Sequence, residues 1–160
     1  MKLFDILKKH QKAYKIYSVA NGIAMPLNTV PDEIFSKGEF GDGLGIKSND
    51  GIIYAPADAT VIQVAETKHA IGLNIGDVDI LIHVGIDTVS MGGNGFEAFV
   101  KENQKVKKGQ KLLKADLDAI RKAGYSDVVV VVVTQSPEDR PYKIVKNSDN
   151  VTNDDVVIEF

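Results

Sequence analysis

The sequence predicts an all-β fold, mainly an antiparallel β-sandwich or barrel that carries short helices. From Tyr17 onward the chain runs in short β-type segments punctuated by Gly, Pro, Asn and Asp, as in GDGLGIKSNDG, IIYAPADATVIQVA and HAIGLNIGDVDILIHVGID. Close spacing of that kind is the pattern of sandwiches and barrels. Runs of helical period longer than ten residues are scarce after Lys15. Finally, six consecutive valines, Val128 to Val133, suit a strand buried on both faces.

Taken in order, residues 1 to 12 place Leu3, Phe4 and Leu7 on one helical face and Lys2, Lys8, Lys9 and Lys12 largely elsewhere. This predicts a short amphipathic helix, either packed on the domain or resting as a weak anchor on anionic lipid, with His10 on its polar side. Short β-type runs then follow up to Asp87. Gly95 to Asn103, with Phe96, Phe99 and Val100, and Asp116 to Gly124, with Leu117 and Ile120, are the two short helical candidates, and Gly124 ends the second. Lys101 to Lys114 holds six lysines around Val106, Gly109, Leu112 and Leu113 and reads as strand, turn and strand. No linker or charge block divides the chain, so the expected organisation is an N-terminal segment, 1–15, followed by a single domain, 16–160.

Composition narrows the chemistry. The 160 residues are 44% hydrophobic and 26% charged, a balance that supports a sizeable core. Lys plus Arg number 19 against 22 Asp plus Glu, so no global positive field recruits nucleic acid or an anionic membrane. The lysine-rich stretch lacks aromatics that could stack bases. There is no secretory signal pattern and no apolar run approaching the ~20 residues that span a bilayer, so a cytoplasmic setting is expected, with at most peripheral membrane association. With 0 Cys, disulfides, thiolate nucleophiles and Cys-based metal sites are excluded. His10, His69 and His83 are the whole imidazole inventory.

His83 sits in the middle of an apolar strand. Alternation places Leu81 and His83 on one face and Ile80, Ile82 and Val84 on the other. A hairpin centred on Gly76 sets His69 directly opposite His83, with Cβ atoms roughly 4.5–5.5 Å apart. A slip of one residue would send one ring to the opposite face. Two imidazoles so close cannot both be charged cheaply, so at least one stays neutral near pH 7.

Three chemistries use such a pair. A zinc site needs a third ligand, Asp87 or another carboxylate. A nucleophile–base triad needs a Ser, Thr or Cys in a strained turn, and no G-x-S-x-G is present. Phosphoryl transfer through a phosphohistidine needs one neutral ring to attack and a second to donate to the phosphoryl oxygens. A non-catalytic binding module on the same fold is a further class.

The string Leu81-Ile82-His83-Val84-Gly85-Ile86-Asp87-Thr88-Val89 resembles the active-site signature of the glucose-type enzyme IIA domain of the bacterial phosphoenolpyruvate-dependent sugar phosphotransferase system. Val30-Pro31-Asp32-Glu33-Ile34-Phe35, Gly41 to Ile46, Ala55 to Val61, Glu66-Thr67-Lys68-His69-Ala70 and Val106-Lys107-Lys108-Gly109 are similar to that family in order and spacing, over roughly residues 20 to 135. The resemblance implies a β-sandwich phosphotransferase component. It implies that His83 accepts the phosphoryl group through Nε2, that His69 holds it, that Thr67 orients His69 and that the Gly85 carbonyl orients His83. It also implies that Asp32 and Asp87 face arginines of the donor HPr and that Ile34, Phe35, Leu81 and Val89 form an apolar apron. The acceptor would be a cysteine of a sugar-specific IIB domain, and no cofactor or metal is implied for the transfer. Ala59 stands where the family has glycine, Val19-Ala20 replaces a Pro-containing lead-in, and Ala65 replaces a bulkier apolar residue. Met1 ahead of an amphipathic segment favours a free-standing chain.

Overall fold

The computed structural model describes residues 14–160. The predicted N-terminal helix and His10 lie outside the described residues. Among the described residues there are fourteen strands. The first seven are β1 (Lys15–Tyr17), β2 (Gly22–Pro26), β3 (Gly43–Ser48), β4 (Ile52–Tyr54), β5 (Ala59–Val64), β6 (Ala70–Ile75) and β7 (Val78–Val84). The rest are β8 (Phe96–Ala98), β9 (Lys105–Val106), β10 (Lys111–Ala115), β11 (Val129–Gln135), β12 (Lys143–Ile144), β13 (Asn150–Val151) and β14 (Val156–Glu159). Two short helices, α1 (Glu33–Ser36) and α2 (Leu117–Lys122), interrupt them.

An eight-stranded sheet has the order β13-β2-β3-β11-β7-β6-β5-β9, and two three-stranded sheets have the orders β1-β14-β12 and β4-β10-β8. Every pairing is antiparallel. The main core lies where the small sheets meet one face of the large one. Ile16, Ile53, Leu112, Leu113 and Ile158 join Leu44, Ile46, Ile71, Leu73, Ile80 and Ile82 there. The all-β expectation is met.

The valine run explains why the large sheet has two covered faces. Val129, Val131 and Val133 enter the main core, whereas Val128, Val130 and Val132 join Leu27, Val30, Phe35 and Ile86 in a second apolar cluster on the other side. Alternation along β11 therefore buries both faces, as predicted. The lid over the second face is the segment from β2 through α1. Its helix is started by Asp32, whose carboxylate accepts a 2.9 Å bond from the Phe35 N–H.

Two sequence expectations need correction. Gly95 to Asn103 does not form a helix: Phe96–Ala98 is strand β8, pairing Ala98 with Leu113 and Phe96 with Ala115. A segment that short is marginal as an isolated helix, and the edge of β10 satisfies its backbone instead. The other helical candidate does form, capped by Asp116 and followed by Gly124 at φ 89°.

The second correction concerns register. His83 pairs with Ala70, one residue on from the predicted partner His69. The hairpin turns on two residues, Gly76 and Asp77, between Ile75 and Val78, so its centre falls after Gly76. Gly76 takes the positive φ of 67° that the first turn position requires.

Ala59 opens β5 opposite Val106, and its φ lies outside the left-handed region. Alanine is therefore accepted there without strain. Tyr14 packs edge-on against Phe160, 6.2 Å between centroids, which joins the start of the described chain to its end. No helix among the described residues is long and apolar enough to cross a membrane.

Candidate functional site

The site lies on the outer face of the eight-stranded sheet, beside the second apolar cluster. His83 occupies a half-buried position of β7, while its neighbours Ile82 and Val84 point into the main core. Leu81 shares its face and packs on the second cluster.

His69 reaches the same face by a different route from the one its number suggests. It precedes the first residue of β6 and follows Lys68, which has a left-handed φ of 61°. That turn breaks the strict alternation of a strand, so the one-residue difference in register does not carry the ring away. Its carbonyl accepts a 2.8 Å bond from the Val84 N–H, which fixes its backbone against β7. The two imidazoles stand 4.8 Å apart at 83°.

Each ring is held by its Nδ1. The His83 Nδ1–H donates to the Gly85 carbonyl at 2.8 Å. A carbonyl can only accept, so the proton sits on Nδ1 and the Nε2 lone pair is free. The His69 Nδ1 lies 2.6 Å from the Thr67 hydroxyl oxygen. If that hydroxyl donates, the proton of neutral His69 is on Nε2, and the ring presents a donor next to the lone pair of its neighbour.

Burial disfavours the charged form of both rings. His69 is 7% exposed, and burial first, then the neighbouring His83, lowers its pKa to about 4. Burial also lowers His83 below the ordinary imidazole value. The bond to Gly85 opposes that shift, as do the negative charges of Asp32 and Asp87. The carboxylates thus act on the ring that carries the free lone pair.

The predicted surroundings divide into exposed and supporting groups. Asp87 is exposed with a left-handed φ of 60°, and Asp32 is half-buried, doing double duty as the cap of α1. Ile34 and Val89 are exposed, the latter by 55%. Phe35 is 5% exposed and packs 5.1 Å from the His83 ring, so it supports the site from beneath. Two aromatics escaped the sequence reading. Phe40 is 47% exposed and packs at a tilt of 48° with its centroid 5.2 Å from that of Phe35, and Phe96 approaches His69 edge-on at 6.4 Å. No spacing flags Phe40, because Gly38 at φ 73° folds the chain back between the two phenylalanines. The helical spacing of Phe96, Phe99 and Val100 gives no sign that Phe96 meets His69.

The neutral pair, one ring with a free lone pair and the other a potential donor, suits transfer of an electrophilic group between side chains. Among the described residues no set of three or more His, Cys, Asp or Glu side chains is arranged to hold a metal ion.

The family model described as phosphoenolpyruvate-dependent sugar phosphotransferase system, EIIA 1, matches residues 14–139, and the chain belongs to that family. Within it, the relatives are of the glucose type. The chain is 43% identical over 145 residues to the glucose-specific EIICBA component of the phosphotransferase system of Staphylococcus saprophyticus, an alignment covering 90% of this chain and 21% of that protein. It therefore spans about a fifth of that relative's length. The structure of glucose permease IIA from Mycoplasma capricolum superposes with a TM-score of 0.87 at 34% identity, over 99% of each chain. This chain is a glucose-type EIIA domain, a phosphotransferase-system component.

Proposed function

We propose that the domain is a phosphohistidine carrier in sugar uptake, accepting a phosphoryl group from phospho-HPr on Nε2 of His83 and passing it to a cysteine of a sugar-specific IIB domain. The observation that carries this reading is the bond from the His83 Nδ1–H to the Gly85 carbonyl, made 4.8 Å from a second, neutral imidazole.

In the first step the Nε2 lone pair of His83 attacks phosphorus as the donor's P–N bond breaks, and the donor imidazole leaves with that electron pair. The His83 ring keeps its Nδ1–H, so it becomes positively charged as the new P–N bond forms. The Gly85 carbonyl and the carboxylates of Asp32 and Asp87 stabilise that charge. His69, with Thr67 donating to its Nδ1, offers its Nε2–H to the phosphoryl oxygens. In the second step a partner thiolate attacks phosphorus and His83 departs neutral, with its proton where it began. This chain has 0 Cys, so the thiol belongs to the partner. No metal or cofactor is needed for either step.

The apolar groups Ile34, Leu81, Val89 and Phe40 support docking and shield a labile phosphoramidate from water, and the rim carboxylates favour a cationic donor face. Phosphorylation adds about −1.5 to −2 charges beside them, enough to change which partner docks. This reading places the domain in the cytoplasm, where it meets HPr.

The test is incubation with phosphoenolpyruvate, enzyme I and HPr. An acid-labile, base-stable phosphoryl adduct is expected, absent in His83→Ala. His69→Gln should still accept the group but pass it on poorly. Absence of any adduct would refute the carrier role, and undiminished onward transfer in His69→Gln would refute the role of His69.

A further inference from the structure

Val84 is the backbone junction between the two histidines. It follows His83, its N–H donates to the His69 carbonyl at 2.8 Å, and its own carbonyl accepts a 2.6 Å bond from the Thr88 hydroxyl. Thr88 is fully buried. Its γ-methyl crowds Gly85 so closely that a Cβ built there would lie 2.3 Å away. The residues between are in unusual conformations, with Gly85 at φ 78° and Asp87 at φ 60°. Glycine takes such a φ freely, whereas a non-glycine residue such as Asp87 keeps it only where its surroundings over-determine it. Here the Gly85 N–H donates to the Val128 carbonyl at 2.8 Å, the Ile86 N–H donates to the Ser126 carbonyl at 3.0 Å, and Thr88 closes the turn onto Val84.

We propose that Thr88 is a positioning residue for phosphoryl acceptance: its buried hydroxyl locks the 84–88 turn so that the Gly85 carbonyl meets Nδ1 of His83 and Nε2 is left free. The proposal deepens the carrier reading and rests on it. A neutral imidazole without such an acceptor distributes its proton over both nitrogens, and a proton on Nε2 blocks attack. The Thr88 hydroxyl bonds to the Val84 carbonyl and not to the reacting ring. Its effect passes through Val84 and Gly85 alone.

The test compares Thr88→Val, which keeps the shape and loses the hydroxyl, with Thr88→Ser, which keeps the hydroxyl. Two quantities are read at pH 7: the protonated nitrogen of His83, by nitrogen-15 imidazole spectra of the unphosphorylated protein, and the kinetics of acceptance from phospho-HPr. Thr88→Val should show mixed tautomers and a maximal rate lower by about tenfold, the equivalent of one hydrogen bond, with the half-saturating HPr concentration unchanged. Thr88→Ser should match the wild type in both. A folded Thr88→Val with a wild-type tautomer and rate overturns the proposal. So does a loss in Thr88→Ser, which also decides the matter if Thr88→Val does not fold. Should the wild type accept no phosphoryl group, the carrier reading fails, while the tautomer spectra still report whether Thr88 governs His83.

Discussion

The imidazole of His69 stands edge-on to that of His83, 4.8 Å between centroids and 83° between planes, and each ring is anchored through its Nδ1 to a group two residues away in the chain. Anchors so local make each ring's orientation a property of its own turn. Their convergence is a property of the sheet. Several outcomes can be expected from that division.

Acid should weaken the fold through this pair. Both histidines have folded-state pKa values below the ordinary 6.5, with His69 at about 4. Between those values the unfolded chain binds more protons, so stability rises with pH in that window and is lost as pH falls from 6.5 toward about 4. Proton resonances of the His69 ring should titrate near 4. His69→Gln should lose less thermal stability than the wild type between pH 6.5 and 4; an identical decline would contradict the assignment.

Thr67→Val should leave the fold intact and slow onward transfer. The 2.6 Å contact to Nδ1 of His69 vanishes, and with it the bias that keeps the ring's proton on Nε2. Loss of one hydrogen bond of this kind corresponds to a rate reduction of about tenfold. Rapid-mixing measurement of transfer to a IIB domain checks this, and an unchanged rate would mean that Thr67 is only a turn hydroxyl.

Phe35→Ala should cost about 3–5 kcal/mol of stability, as expected for a buried aromatic truncated to alanine. Phe35 is 5% exposed, within the second apolar cluster and against the His83 ring. Urea denaturation gives the stability. The exposed neighbour Phe40 is the contrast: Phe40→Ala should change stability much less and weaken HPr binding more.

Ala59→Gly, which restores the family's usual residue, should destabilise the protein by about 0.5–1 kcal/mol, because the position is extended strand and glycine only adds freedom to the unfolded chain. A stability gain in denaturant titration would show that the turn wants a glycine after all.

Much of the architecture was legible because its signals are local. The valine run announces a strand buried on both faces, Asp116 and Gly124 bracket a helix, and the apolar alternation around His83 puts Leu81 beside it and Ile82 behind it. Where two local preferences compete, the reading failed. Phe96, Phe99 and Val100 match a helical period, but β10 offered an edge and the segment became strand β8. The hairpin register was missed by one residue because a two-residue turn has no residue at its centre.

By itself, then, the sequence determined the inventory: two usable histidines, no thiol, and the apolar strand that carries His83. Those properties follow from residue type and from spacing within a few positions. Tertiary structure decided the site. The left-handed turn at Lys68 and the pairing of Val84 with His69 aim the second ring despite the shifted register. The insertion of β11 between β3 and β7 builds the apolar bed beneath Phe35 and His83 from residues some distance away in the chain. Burial in that assembled setting is what lowers the pKa of both imidazoles, because a ring in the unfolded chain is solvated and a ring in the sheet is less so.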